Sequence, residues 1–129
     1  MARRRPVSDD GNGGLAGPGV LEIAQFDVQP GAEEKFVAAY QEVRQELVGT
    51  PGFRSARLTR GIESPSNFVL LVEWATLDSH LKNFRESDRF VRWRAALGPY
   101  LASPPSVAHG VDVPAGPDQV YLPRDRLDP

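Results

Sequence analysis

Residues 68–101 read FVLLVEWATLDSHLKNFRESDRFVRWRAALGPYL, and a change of period inside this stretch decides the architecture. Phe68-Val69-Leu70-Leu71-Val72 is an apolar, β-prone run ending at Glu73-Trp74; beyond Ala75-Thr76 the apolar residues recur at helical spacing. The stretch predicts a strand over 68–75 that feeds a helix in two pieces. Thr76 suits the first N-cap, Leu77, Leu81 and Phe84 fall at i, i+4 and i+7, and His80 lies beside them. Ser87-Asp88 recaps the chain, and Phe90, Trp93 and Leu97 form a second stripe that Gly98-Pro99 ends. Trp74, Trp93 and one of the two histidines lie here, so any chemistry is expected nearby.

Upstream, residues 20–28 alternate as a strand, with Ala24, Phe26 and Val28 on one face and Leu21, Ile23, Gln25 and Asp27 on the other. Gln29-Pro30-Gly31 turns the chain. Glu33 and Glu34 then open a helix predicted over 32–48, where carboxylates complement the dipole. Phe36, Tyr40, Val43 and Leu47 make its apolar stripe; Gly49 suits a left-handed C-terminal position and Pro51 stops the helix. A second strand is expected over 53–62, and Glu63-Ser64-Pro65-Ser66-Asn67 has the composition of a hairpin loop. Downstream, Pro104-Pro105 introduces a last strand over 106–113, with Val107, His109, Val111 and Val113 on one face.

The order strand, helix, strand, strand, helix, strand is the ferredoxin-like βαββαβ arrangement, an α+β fold whose helices all cover one face of a four-stranded antiparallel sheet. The other face, bearing Leu21 and Ile23, is too apolar to remain in water, so a homodimer is expected. Three segments follow: a flexible arm over 1–19, a domain over 20–113, and a tail over 114–129. The arm holds five glycines and two prolines and little apolar material to bury. The tail carries Val120-Tyr121-Leu122, an apolar triplet expected to dock on the partner subunit.

Composition narrows the function. A formal net charge of −2 argues against nucleic acid, and no apolar run approaches the roughly 20 residues that span a bilayer. The absence of cysteine excludes disulfides, thiol catalysis and thiolate metal sites. Arg3-Arg4-Arg5 is followed by Pro6 and Asp9-Asp10 rather than by the apolar core of an export signal, so a cytoplasmic protein is expected.

Across residues 20–113 the chain resembles the antibiotic biosynthesis monooxygenase superfamily. The matching pieces are Val28-Gln29-Pro30-Gly31, Pro51-Gly52-Phe53, Val72-Glu73-Trp74, Ser87-Asp88-Arg89-Phe90 with Trp93-Arg94, and Pro104-Pro105-Ser106-Val107-Ala108-His109. The resemblance implies a dimeric α/β barrel made by packing two such sheets face to face. It also implies one of several activities: cofactor-independent oxygenation of quinols or anthrones, haem degradation, quinol oxidation, or isomerisation of small phosphorylated sugars. Haem-degrading relatives carry Asn, Trp and His where this chain has Ala24 or Gln25, Phe84 and Trp93, which speaks against haem cleavage. Many other members carry His at the place of Phe84.

His80 and His109 are the side chains that titrate naturally near neutrality and are the candidate bases; each equally suits a plain structural hydrogen bond. Their spacing with a carboxylate matches no metal motif, so no metal and no cofactor is expected. Trp74, Phe84 and Trp93 are candidates to stack on a flat substrate, and Arg57, Arg94 or Gln25 to hold a developing oxyanion. The expected site is one cavity per subunit lined by Ile23, Gln25, Trp74, His80 and Phe84. The leading expectation is a cofactor-independent monooxygenase acting on an aromatic or quinol-like small molecule. The rival is a non-catalytic small-molecule-binding or stress-response dimer of the same fold.

Overall fold

The computed structural model describes residues 18–116. The expected arm, apart from Pro18 and Gly19, and the tail triplet Val120-Tyr121-Leu122 lie outside the described residues. Strand β1 (Val20–Asp27) leads to helices α1 (Glu33–Val43) and α2 (Gln45–Val48), followed by the hairpin β2 (Phe53–Arg60) and β3 (Asn67–Trp74). A π-helical segment (Ser79–Phe84) and α3 (Asp88–Leu97) follow, and β4 (Ser106–Gly110) closes the fold. The sheet is antiparallel throughout, in the order β2-β3-β1-β4. This is the ferredoxin-like topology that the sequence predicts.

The pleat sorts the sheet into two unlike faces. Ala24 and Phe26 of β1 and Phe68, Leu70, Val72 and Trp74 of β3 are buried on the helix side. They meet the predicted stripe of Phe36, Tyr40, Val43 and Leu47, all buried. Phe36 sits at the centre of this layer, its ring 5.4 Å from that of Phe26 and 4.9 Å from that of Phe68. Burial of these large side chains is the main drive for the fold. On the opposite face Leu21, Ile23, Val69 and Leu71 are only half-buried, because no element of the described chain crosses it.

Several local features differ from the sequence reading. The predicted 32–48 helix is two helices: backbone angles at Arg44 stay helical, but Leu47 N–H bonds Arg44 O, three residues back, and this tightens the turn. Glu46 of α2 then accepts from Arg92 of α3 at 2.9 and 3.1 Å, clasping the two helices. Gly49 is right-handed, at φ −79°. Strand β4 stops at Gly110 rather than 113 because its ladder with β1 ends at the pair Leu21–Gly110, with only Val20 of β1 beyond; Val111 and Val113 are exposed.

The left-handed residue of the α2–β2 turn is Gly52, at φ +95°, and it packs against Ser79 so closely that a Cβ there would overlap the Ser79 hydroxyl. Gly52 O also accepts from Ala75 N–H at 2.7 Å, so this turn sets where the chain leaves β3. A Gly52→Ala substitution should therefore cost on the order of 1–3 kcal/mol, measured by urea denaturation, and should shift the imidazole resonances of the adjacent His80. Wild-type stability in that variant would show that the turn does not constrain the segment.

Candidate functional site

The first residue to consider is Glu22, which shares the helix-side parity of Ala24 and Phe26 and is therefore carried under the helices with them. A buried carboxylate has to be satisfied by polar partners. Trp74 Nε1 donates to Glu22 Oε1 at 2.9 Å, and His80 Nε2 lies 3.4 Å from the same oxygen. On its other side His80 Nδ1 is 2.8 Å from His109 Nε2. Four polar groups from β1, β3, the π-helical segment and β4 thus form one chain running from the interior to the surface, where His109 is exposed.

The π-helical turn builds the middle of this chain. Arg85 N–H bonds His80 O, five residues back, and the widened turn holds His80 and Phe84 together against the sheet. Thr76 Oγ1 accepts from Ser79 N–H at 3.1 Å, so it caps the segment as predicted, while Leu77 points outward and is exposed. His80 stacks on Trp74, with ring centres 5.4 Å apart and planes 19° from parallel, and lies 6.1 Å from Phe84 at 25°. Phe84 meets Trp93 and Phe90 edge-on at 5.8 and 5.5 Å.

Beside these rings, between the helix side of the sheet and α3, is an open cavity of about 720 Å³. Phe84, Phe90, Trp93 and Leu97 form one side; Pro104, Pro105 and Val107 form the approach to β4. Its polar lining includes Glu22, His80, Arg85 and Arg94. The volume is within the range of small-molecule sites.

Burial pushes the His80 imidazole down to about 4, helped by the neighbouring His109 and by Arg85, so His80 is neutral at neutral pH. Burial raises the Glu22 carboxyl, while the Trp74 hydrogen bond and Arg85 work against that rise. The Glu22–His80 contact is therefore a neutral N–H beside a carboxyl group rather than an ion pair. With Nε2 of His80 carrying its proton toward Glu22, Nδ1 is left to accept from His109 Nε2–H.

The pleat divides the residues that the sequence reading groups around one cavity. His80, Phe84, Trp93 and Arg94 line it. Trp74 lies behind His80, fully buried, and reaches the site through its indole N–H. Ile23 and Gln25 are of opposite parity to Glu22 and Ala24 and stand on the other face of the sheet, paired in register with Leu71 and Val69 of β3. Arg57 is on that face too, in a separate hollow of about 360 Å³ with Leu21, Leu71 and Glu73. Glu22 and Arg85 were not singled out from the sequence. The signal for Glu22 was present, since it is a charge at a core position of an alternating strand.

Comparison with known proteins places the chain in a family. The antibiotic biosynthesis monooxygenase profile matches residues 19–96. The uncharacterized protein YczJ of Bacillus subtilis is 32% identical over 94 residues, which is 73% of this chain and 99% of that protein. A Bordetella bronchiseptica structure assigned to the antibiotic biosynthesis monooxygenases superposes with a TM-score of 0.71 at 38% identity, over 73% of this chain and 96% of the other. A monooxygenase from the ActVA-Orf6 gene of Streptomyces coelicolor, solved with Nanaomycin D, gives a TM-score of 0.66 at 25% identity, over 81% and 92% of the two chains.

The buried pair makes stability depend on pH with a definite sign. His80 has a lower pKa folded, about 4, than its ordinary 6.5, so between these values the unfolded chain binds a proton that the folded one refuses. Its contribution is therefore complete above pH 6.5 and is lost on acidification toward pH 4, by up to about 3 kcal/mol. Glu22 has the opposite sign, because its folded pKa is raised, and offsets part of the loss. Melting temperatures across this window should fall with acid, more steeply in Glu22→Gln and less in His80→Phe. Identical slopes in all three proteins would mean that His80 is not held neutral.

Proposed function

Since the chain belongs to the antibiotic biosynthesis monooxygenase family, we propose that it is a cofactor-independent monooxygenase acting on a flat phenolic or quinol-like molecule. The observation that carries the reading is the 2.8 Å contact between buried His80 and exposed His109 beside an aromatic-walled cavity. His109 shares its strand face with Val107 of the cavity, and His80 lines the cavity itself.

On this reading the free Nδ1 of His109 accepts a proton from the substrate. The positive charge stays on exposed His109, because buried His80 remains neutral and its Nδ1 accepts the His109 Nε2–H hydrogen bond while its own Nε2–H lies beside Glu22. Glu22 is thus a positioning residue that fixes the tautomer of His80. The carbanion left at the CH2 carbon of the substrate's keto, anthrone-type tautomer gives an electron to dioxygen, and recombination of the resulting pair forms a carbon–oxygen bond. The peroxide takes the proton back. Loss of the remaining C–H proton and of hydroxide yields a ketone and water, so that a CH2 group and O2 become C=O and H2O. The charge left on His109 stabilises the peroxide anion as it forms.

We further propose that a second copy covers the open face of the sheet. Leu21, Ile23, Val69 and Leu71 lie together there, half-buried, and a self-complementary contact between two such faces removes them from water without any other partner. Light scattering should give about twice 14.2 kDa, and Ile23→Glu should return the mass to that of one chain. A wild-type mass near 14.2 kDa at micromolar concentration would exclude this pairing.

The catalytic reading is tested with anthrone and hydroquinone substrates under air in an oxygen electrode. Uptake is expected without added metal or flavin, reduced roughly 100-fold or more in His109→Ala and less in His80→Ala. Glu22→Gln should lower the rate while leaving apparent substrate affinity intact. Full turnover in both histidine variants would remove them from the mechanism; binding without oxygen uptake would favour a ligand-binding dimer.

A further inference from the structure

Two guanidinium groups share one phenyl ring at the cavity. The Arg85 Cζ lies 5.1 Å and the Arg94 Cζ 5.7 Å from the centre of Phe90, and all three residues line the cavity together with Phe84 and Trp93. A ring face holds a guanidinium by cation–π attraction and leaves its N–H groups free to donate. Among the described residues neither arginine has a carboxylate within ion-pair distance, whereas Arg54, Arg60, Arg89 and Arg92 each do. Both are exposed.

The acidic group of the cavity is buried, and Arg85 is near enough to act on it without an ion pair. Glu22 is 5% exposed, engaged by Trp74 and next to His80, so little of it is open to a bound anion. With Glu22 ionised and His80 neutral the lining carries one negative and two positive side chains. The exposed charge of the cavity is therefore the pair of guanidinium groups.

We propose that the substrate is an aromatic acid: a planar molecule whose carboxylate is held by Arg85 and Arg94 while its ring lies along Phe84 and Trp93 toward the histidines. This rests on the catalytic reading for what happens at the histidines but not for how the molecule is held. Guanidinium forks match a carboxylate in shape and charge, and a shared anion also relieves the repulsion between two cations fixed on one ring. The anchor sets which edge of the ring faces His80, and this gives the site its regioselectivity.

Binding tests the proposal without any turnover. Anthraquinone-2-carboxylate and anthraquinone-2-carboxamide differ in charge but hardly in shape, and quenching of tryptophan emission reads both, since Trp93 is in the cavity wall. The carboxylate should bind at least tenfold more tightly, as expected for a charge-assisted pair, and the advantage should shrink with salt. An Arg85→Gln/Arg94→Gln double variant should lose the preference while its carboxamide affinity changes less than threefold; the corresponding double Lys variant should keep part of it. Equal affinities in wild type, a preference that survives in the Gln double variant, or no binding of either compound would overturn the assignment. Preferential binding without oxygen uptake on any acid would leave it standing and sink the catalytic reading; rapid uptake on neutral quinols with no charge preference would do the reverse.

Discussion

A carboxylate carried beneath the helices constrains much of the rest of the structure. Glu22 cannot be moved to solvent without a one-residue slip of β1, and that slip would expose Ala24 and Phe26 together with it. It has to be satisfied in place, and the Trp74 indole N–H and the His80 imidazole are the groups that meet it. Each comes from a different element, so the requirement to satisfy one buried acid fixes β1, β3 and the π-helical segment against one another. His80 is then held with its second nitrogen outward, and His109 of the edge strand β4 completes the chain.

The same arrangement separates structural from chemical roles among the aromatic side chains. Trp74 and Phe36 are enclosed and act through packing, with the Trp74 indole N–H as the exception. Phe84 and Trp93 are nearly as buried but turn an edge or face to the cavity, because β4 carries no helix over its own side of the sheet. A sheet of four strands under helices that cover the strands to its other side leaves this space by geometry alone. Its lining combines a buried carboxyl–imidazole pair with two exposed arginines.

Backbone irregularity is placed where the site needs it. The i, i+5 turn at His80 and the left-handed Gly52 packed on Ser79 are adjacent in space, and each departs from the regular conformation its neighbours adopt. Regular α-helix through residues 77–84 would follow the predicted stripe of Leu77, Leu81 and Phe84. In the structure Leu77 is exposed and His80 is inside, so burial of an imidazole replaces burial of a leucine. That exchange is intelligible only because Glu22 and His109 are present to satisfy it.

The sequence by itself determined the order of elements, the helix-covered face and the open face, because hydrophobic periodicity of 2 and of about 3.6 is a local property that short windows carry in full. It also singles out the two histidines, because theirs are the side chains whose ordinary pKa lies near neutrality. The side of the sheet on which each candidate stands was legible in part: parity in β1 put Ile23 and Gln25 opposite Ala24, and it put Glu22 with Ala24, although a charge at a core position has no meaning until its partner is known. The meeting of His80 with His109, 29 residues apart, and of Glu22 with Trp74, 52 apart, was decided by tertiary structure alone. Those contacts depend on the register of β1 against β3 and β4 and on a widened helical turn, and both are set by the packing of the whole sheet rather than by any local pattern.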